Sequence, residues 1–257
     1  MDIKDNNGPW IFISHSLKDW GKVRNIRNIL ENEGAKPLLF FLKCLTEDAE
    51  IDDLIKREIK ERNFFLLCES NNTGNSVWVR SEVEFVKTFE DKVFETIELD
   101  KELDSQIFKI KKLLKRATIF LSYAHPEEDI ATQIREIFIN HDYAVFRDNE
   151  QETIDDWAKN TENAIVESLE HGFFLIFISN RSLASDFVRK ELNFAIQNSG
   201  EKRNNIIPIL IENLGTMEPW LLFPKSMQEI QWFDFSSGDL TSNTKKLIND
   251  LKNRKMP

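Results

Sequence analysis

Apolar and polar residues follow one another along this chain in two rhythms. Short runs dense in β-branched and aromatic side chains, such as "IFIS" at 11–14 and "FFLIFI" at 173–178, predict strands. Between them apolar residues recur every three or four positions, which predicts helices. The first series reads strand 11–14, helix 20–32, strand 37–42, polar loop, helix 50–61, strand 64–68, helix 77–89 and strand 92–99. A second series follows: strand 118–122, helix 127–140, strand 143–147, helix 154–169, strand 173–178, helix 186–197, and strands at 205–211 and 229–235. Between the two lies "DSQIFKIKKLLKR" (104–116), a basic amphipathic helix. Its apolar stripe is expected to pack on the first series while its lysines face water. The competing reading is an anion-binding patch.

The two series are copies of one plan. "IFISHS" at 11–16 returns as "IFLSYA" at 119–124, and "NFFLLCES" at 63–70 returns as "GFFLIFIS" at 172–179. Ser14 and Ser122 stand 108 positions apart, while Ser70 and Ser179, like Glu82 and Glu191, stand 109 apart. Three separate segments keep one offset to within a residue. The period is too long for a solenoid and suits two small domains in tandem. Strands alternating with helices imply a parallel sheet covered on both faces, and strands apolar throughout agree. The expected fold is α/β, two tandem flavodoxin-like domains at 1–100 and 117–257 with a connecting helix at 101–116. The first copy shows no evident fifth strand.

One acid in each copy falls on a face that ought to enter the core. At about 100° per residue, Val79, Val83 and Val86 gather on one side of their helix, with Trp78, Phe85 and Phe89 beside them. Glu82 projects between these groups, and Arg80, Glu84 and Lys87 face away. In the second copy Val188, Leu192 and Ala195 group together next to Phe187 and Phe194, with Glu191 between. Ser76 and Ser185 are candidate helix caps. A capping box would need its acid three residues later, where Val79 and Val188 stand. A buried ion pair and a functional carboxylate remain as readings. A carboxylate in such a setting loses solvation and resists ionising, and acids of that kind gather at functional sites.

Composition narrows the classes. In 257 residues, 41% are hydrophobic and 30% charged, and 20 Phe and 6 Trp supply ample area to bury, so a folded globular protein is expected. A net charge of −10 argues against a nucleic-acid partner. Neither cysteine, Cys44 or Cys68, belongs to a metal-ligand spacing, and no metal is expected. Cys68 inside "FFLLCES" reads as a buried reduced thiol, consistent with the cytoplasm. The first ten residues lack the apolar run of a signal peptide. The longest apolar runs are too short for a bilayer, so no membrane partner is expected. No GxGxxG, Walker or HExxH motif occurs. Of the four histidines, His15 stands out, at the carboxyl end of a strand where open α/β sheets bind ligands.

"IFISHS" and "IFLSYA", the short strand with "FRD", and then "WVRSE" or "FVRKE" resemble Toll/interleukin-1 receptor (TIR) domains of the bacterial type. The resemblance covers about 9–100 and 117–236. It implies the fold just described, self-association or pairing with other TIR domains, and, in enzymatically active members, cleavage of NAD+ at its nicotinamide bond. By that resemblance Glu82 and Glu191 match the catalytic glutamate. Trp78 and Phe187 match the aromatic residue one turn earlier. Ser14 and His15, Ser122 and Tyr123, together with Phe146 of the "FRD" strand, fall in the nucleotide-binding region. Loops 43–50 and 147–153 fall where the family shapes access and self-association. Neither copy carries the basic residue that many active members have after the first strand.

The chemistry accounts for a single carboxylate. Ordinary glycosidases use two, because the departing oxygen needs a proton. Nicotinamide leaves a pyridinium as a neutral molecule and needs none. An anionic carboxylate in a poorly hydrated site then stabilises positive charge developing on the ribose, and a nearby donor is expected to keep it ionised. The implied function is that of an NAD+ nucleosidase in bacterial immunity, with NAD+ as substrate and no cofactor, giving nicotinamide and linear or cyclic ADP-ribose. The alternative is a non-enzymatic TIR adaptor. Either copy, or both, is a candidate for the working site.

Overall fold

The protein is described from a computed structural model, at residues 8–40, 48–90, 92–147, 161–163, 165–166, 168–170, 172–215 and 230–254. It comprises two compact units, one of residues 1–117 with 141–143 and one of 118–140 with 144–257.

In the first unit, strands β1 (Trp10–His15), β2 (Lys36–Leu38), β3 (Phe64–Glu69) and β4 (Val93–Glu98) form a sheet of order β2-β1-β3-β4, parallel throughout. Helices α1 (Trp20–Asn32), α2 (Asp48–Glu61), α3 (Val77–Val86) and α4 (Leu103–Lys115) accompany it. A stack of rings crosses the sheet. Phe12 and Phe65 lie 5.3 Å apart, Phe65 and Phe94 a further 5.3 Å, each pair in register on neighbouring strands. Ile51, Ile55 and Ile59 of α2 and Val86 of α3 close over these rings. Helix α4 buries Ile110 and Leu113 and sets Lys112 3.3 Å from Glu95 and Lys109 3.7 Å from Glu98, both on β4. The basic stretch is thus an amphipathic helix of the first unit.

In the second unit, β5 (Thr118–Ser122), β6 (Ala144–Arg147), β7 (Phe173–Ile178), β8 (Ile206–Leu210) and β9 (Phe233–Asp234) form a parallel sheet of order β6-β5-β7-β8-β9. The helices are α5 (Glu128–Asn140), α6 (described at 161–163, 165–166 and 168–170), the short α7 (Asn180–Ala184), α8 (Asp186–Ser199) and α9 (Leu240–Asn253). Phe120 and Phe174 stack at 5.6 Å, as Phe12 and Phe65 do in the first unit. Gly172 leads into β7 where a Cβ would stand 2.3 Å from the Thr118 carbonyl oxygen, so only glycine fits. The strand order 2-1-3-4-5 is that of flavodoxin-like sheets.

Several elements differ from expectation. The strand expected at 37–42 is paired only over Lys36–Leu38. Pro37 has no N–H to donate, and Phe40 leaves the sheet to meet Phe12 at 5.9 Å. Residues 41 and 42 lie outside the described residues. The helix expected at 77–89 stops at Val86, where the Thr88 hydroxyl and N–H both bond to the Phe85 carbonyl. The last strand, expected at 229–235, pairs only at Phe233 and Asp234 among its described residues, and it ends there as the Asp234 carboxylate accepts from the Ser236 N–H and turns the chain; residue 229 lies outside the described residues. Helix α9 was absent from the predicted order; Asp239 caps it, and Leu247, Ile248 and Leu251 are buried.

Candidate active site

The site in the first unit grows from the carboxyl end of β1 and the first turns of α3. Ile11 to Ser14 are buried on β1, and Ser14 is 1% exposed. Helix α3 starts at Ser76, whose hydroxyl accepts from the Val79 N–H at 3.4 Å. Val79 and Val86 anchor the helix in the core, and the intervening Glu82 is thereby carried to the end of β1. There the Ser14 hydroxyl donates to Glu82 Oε2. Glu82 is half-buried. Loss of solvation pushes its carboxyl up to about 7, and the Ser14 hydrogen bond opposes that rise.

Glu82 opens on a cavity of about 450 Å3. One wall is apolar, from Phe12, Phe40, Ile51, Ile55 and Trp78. The other is polar, with Ser16 and Lys18 after β1, and Asn72, Asn75 and Ser76 between β3 and α3. His15 also lines it, and burial lowers the imidazole pKa against the smaller pull of the Ile13 carbonyl and Asp19. Among the described residues the cavity therefore offers flat rings, a carboxylate at Glu82, a cation at Lys18 and several amide and hydroxyl groups. A planar group bearing positive charge suits the carboxylate and the rings. The carboxyl ends of strands are where ligands bind in open α/β sheets.

The second unit repeats the central contact. The Ser122 hydroxyl donates to Glu191 Oε2, and Ser185 caps α8 as Ser76 caps α3. Here, however, the acid is sealed: Glu191 is 3% exposed, among Val188, Leu192 and Ala195. Phe187 is partly buried against the same core. Tyr123 turns its hydroxyl to Glu128 at 2.6 Å and its ring toward Phe177. Phe146 is 56% exposed on the outermost strand β6. Of the residues singled out in the sequence, the structure thus brings His15, Trp78 and Glu82 together around one cavity, with Ser14 bonded to Glu82 behind it, and Ser122 and Glu191 together in the second unit. Tyr123 and Phe146 face other surroundings. Of the predicted access loops at 43–50 and 147–153, residues 43–47 and 148–153 lie outside the described residues; residues 48–50 open α2 and Arg147 ends β6.

A second acid–hydroxyl contact was not anticipated. Asp19 accepts from the Ser70 hydroxyl at 2.5 Å, and Glu127 accepts from the Ser179 hydroxyl. The signal was available: Asp19 and Glu127 stand 108 positions apart (127 − 19), the offset that also relates Ser14 to Ser122.

The family model described as the TIR domain matches residues 11–103 and 119–248, and the chain belongs to that family. The family is one of signalling proteins and of enzymes that cleave NAD+. Among solved structures, the TIR domain of the Toll-related receptor TRR-2 from Hydra magnipapillata is 14% identical, covering 52% of this chain and 98% of its own, with a TM-score of 0.38. A LacI transcriptional regulator from Lactobacillus brevis is 12% identical over 96% of this chain and 94% of its own, with a TM-score of 0.25. Likeness at these scores adds nothing about function. No curated protein matches the chain. Among the described residues no helix is long and apolar enough to cross a membrane.

Proposed function

We propose that the first unit cleaves NAD+ between nicotinamide and ribose, with Glu82 as its catalytic carboxylate. The observation that carries this reading is the placement of Glu82: half-buried, bonded to Ser14, and facing a cavity with aromatic walls. The pyridinium ring lies against Trp78 and Phe40, and the ribose carbon beside Glu82. As the glycosidic bond lengthens, its electron pair goes to the nicotinamide nitrogen, which leaves neutral. Glu82 stabilises the charge left on the ribose, an interaction stronger in the transition state than in the ground state. A neutral His15 adds no opposing charge. Water then attacks and gives ADP-ribose and a proton, or a nucleophile of the same molecule closes a ring.

For the second unit we propose a non-catalytic role, as a TIR module that pairs with other TIR domains or with a second copy of the chain. Glu191 makes the same serine contact while almost sealed from solvent, so there the pair serves packing. The bacterial type of the motifs suggests a cytoplasmic immune function such as defence against phage, through loss of NAD+ or a nucleotide signal made from it. Chromatography of NAD+ incubated with purified protein is the direct test: nicotinamide and an ADP-ribose product are expected in equal amounts. Unchanged NAD+ at every protein concentration, including conditions that promote assembly, would leave the adaptor role for both units.

A further inference from the structure

Asp19 is 6% exposed, yet both loops of the cavity's polar wall are fastened to it. Its Oδ2 accepts from the Ser70 hydroxyl at 2.5 Å and its Oδ1 from the Asn72 side-chain amide at 2.8 Å. Asn72 itself lines the cavity. The network continues toward the helix that bears Glu82. Ser70 Oγ accepts from the Asn72 N–H at 2.9 Å, the Thr73 hydroxyl donates to the Ser70 carbonyl at 2.6 Å, and the Ser76 N–H donates to the Thr73 carbonyl at 3.0 Å. Ser76 is the cap of α3. On the opposite side the Asp19 N–H donates to the Ser16 carbonyl at 2.9 Å, closing the turn that presents Ser16 and Lys18.

The second unit supplies an internal comparison. Glu127 takes the place of Asp19, accepting from the Ser179 hydroxyl with one oxygen and from the Ala124 N–H of its own loop, at 2.9 Å, with the other. The longer acid reaches the same serine. In the first unit both oxygens cross to the loop after β3.

We propose that Asp19 is a positioning residue, whose carboxylate fixes the loops after β1 and β3 against each other and so sets where Glu82 stands relative to the substrate. This rests on the first unit being the catalytic one. Its effect is on geometry: misplacement of a catalytic group by about 1 Å costs on the order of a hundredfold in rate.

The test compares Asp19→Ala, Asp19→Asn and Asp19→Glu with Glu127→Ala in the full chain, by steady-state NAD+ kinetics below each variant's melting temperature. Asp19→Ala and Asp19→Asn are expected to lose roughly tenfold or more in kcat. Asp19→Glu should stay within about threefold of the parent, since a glutamate already reaches the equivalent serine. Glu127→Ala removes an equally buried acid and should keep the parent kcat. Folded Asp19→Ala and Asp19→Asn with parental kcat and KM would overturn the proposal. So would Asp19→Glu as impaired as Asp19→Ala. If Asp19→Ala does not fold, the near-isosteric Asp19→Asn decides. If the parent protein releases no nicotinamide, the catalytic reading fails by itself, and hydrogen exchange decides the positioning role. Selective loss of protection at the Asn72, Thr73 and Ser76 amides in Asp19→Asn supports it; unchanged or uniformly raised exchange contradicts it.

Discussion

The Ser14 hydroxyl donates to the Glu82 carboxylate, joining the end of the first strand to the second turn of α3 across 68 positions of sequence. Ser122 and Glu191 make the same contact across 69. A carboxylate turned toward a core loses its hydration, and a hydroxyl donor returns part of what was lost. Two copies of one contact thus have different surroundings, one opening on a cavity and one 3% exposed.

The first prediction concerns pH. With the Glu82 carboxyl near 7 and its anion the working form, kcat/KM should rise with pH through about 7 and level off above it. Ser14→Ala removes the bond that opposes the rise, so the limb should move to higher pH and the rate at pH 7 should fall by about tenfold. A pH–rate profile of both proteins checks this. A limb unmoved by the substitution would separate Ser14 from the ionisation of Glu82.

Stability should carry the same signature with the opposite slope. The folded protein keeps the Glu82 proton up to about 7, whereas the unfolded chain releases it near 4.5. Between those values the folded state binds more protons, so this group's contribution to stability falls as pH rises through the window and stays low above it. Glu82→Gln does not titrate. It should flatten that part of the profile and be more stable than the parent above pH 7. Denaturant midpoints from pH 4 to 8 measure the difference.

In the second unit the serine bond should matter for folding and little for turnover. Ser122→Ala takes a donor from an acid that is 3% exposed. A loss of about 1–3 kcal/mol is expected in the unfolding of that unit, with kcat unchanged. Denaturation followed beside NAD+ kinetics distinguishes the two effects, and a fall in kcat without loss of stability would give the second unit a catalytic part.

Much of this was legible in the sequence, for identifiable reasons. Strand and helix order followed from periodicity, and the duplication made each copy a check on the other. The inward turn of Glu82 and Glu191 was visible because a helix fixes angle by residue count. The partners of those acids were not, since bonds such as Ser14 to Glu82 depend on how strands align and no local pattern encodes that. Asp19 escaped notice for the same reason, although Glu127 repeats it. The ends of elements failed where a side chain competed with the backbone ladder. Thr88 stops α3 and Asp234 ends β9. Phe40 left its strand for the ring of Phe12, a tertiary contact that converts strand into cavity wall.

The most direct measurement is nicotinamide release from NAD+ by the parent protein, Glu82→Gln and Glu191→Gln, over a range of protein concentrations and with folding verified for each. The account predicts release by the parent, loss of at least about a hundredfold in Glu82→Gln, and parental rates per folded molecule in Glu191→Gln. Full activity in Glu82→Gln, or activity lost only with Glu191, would contradict it.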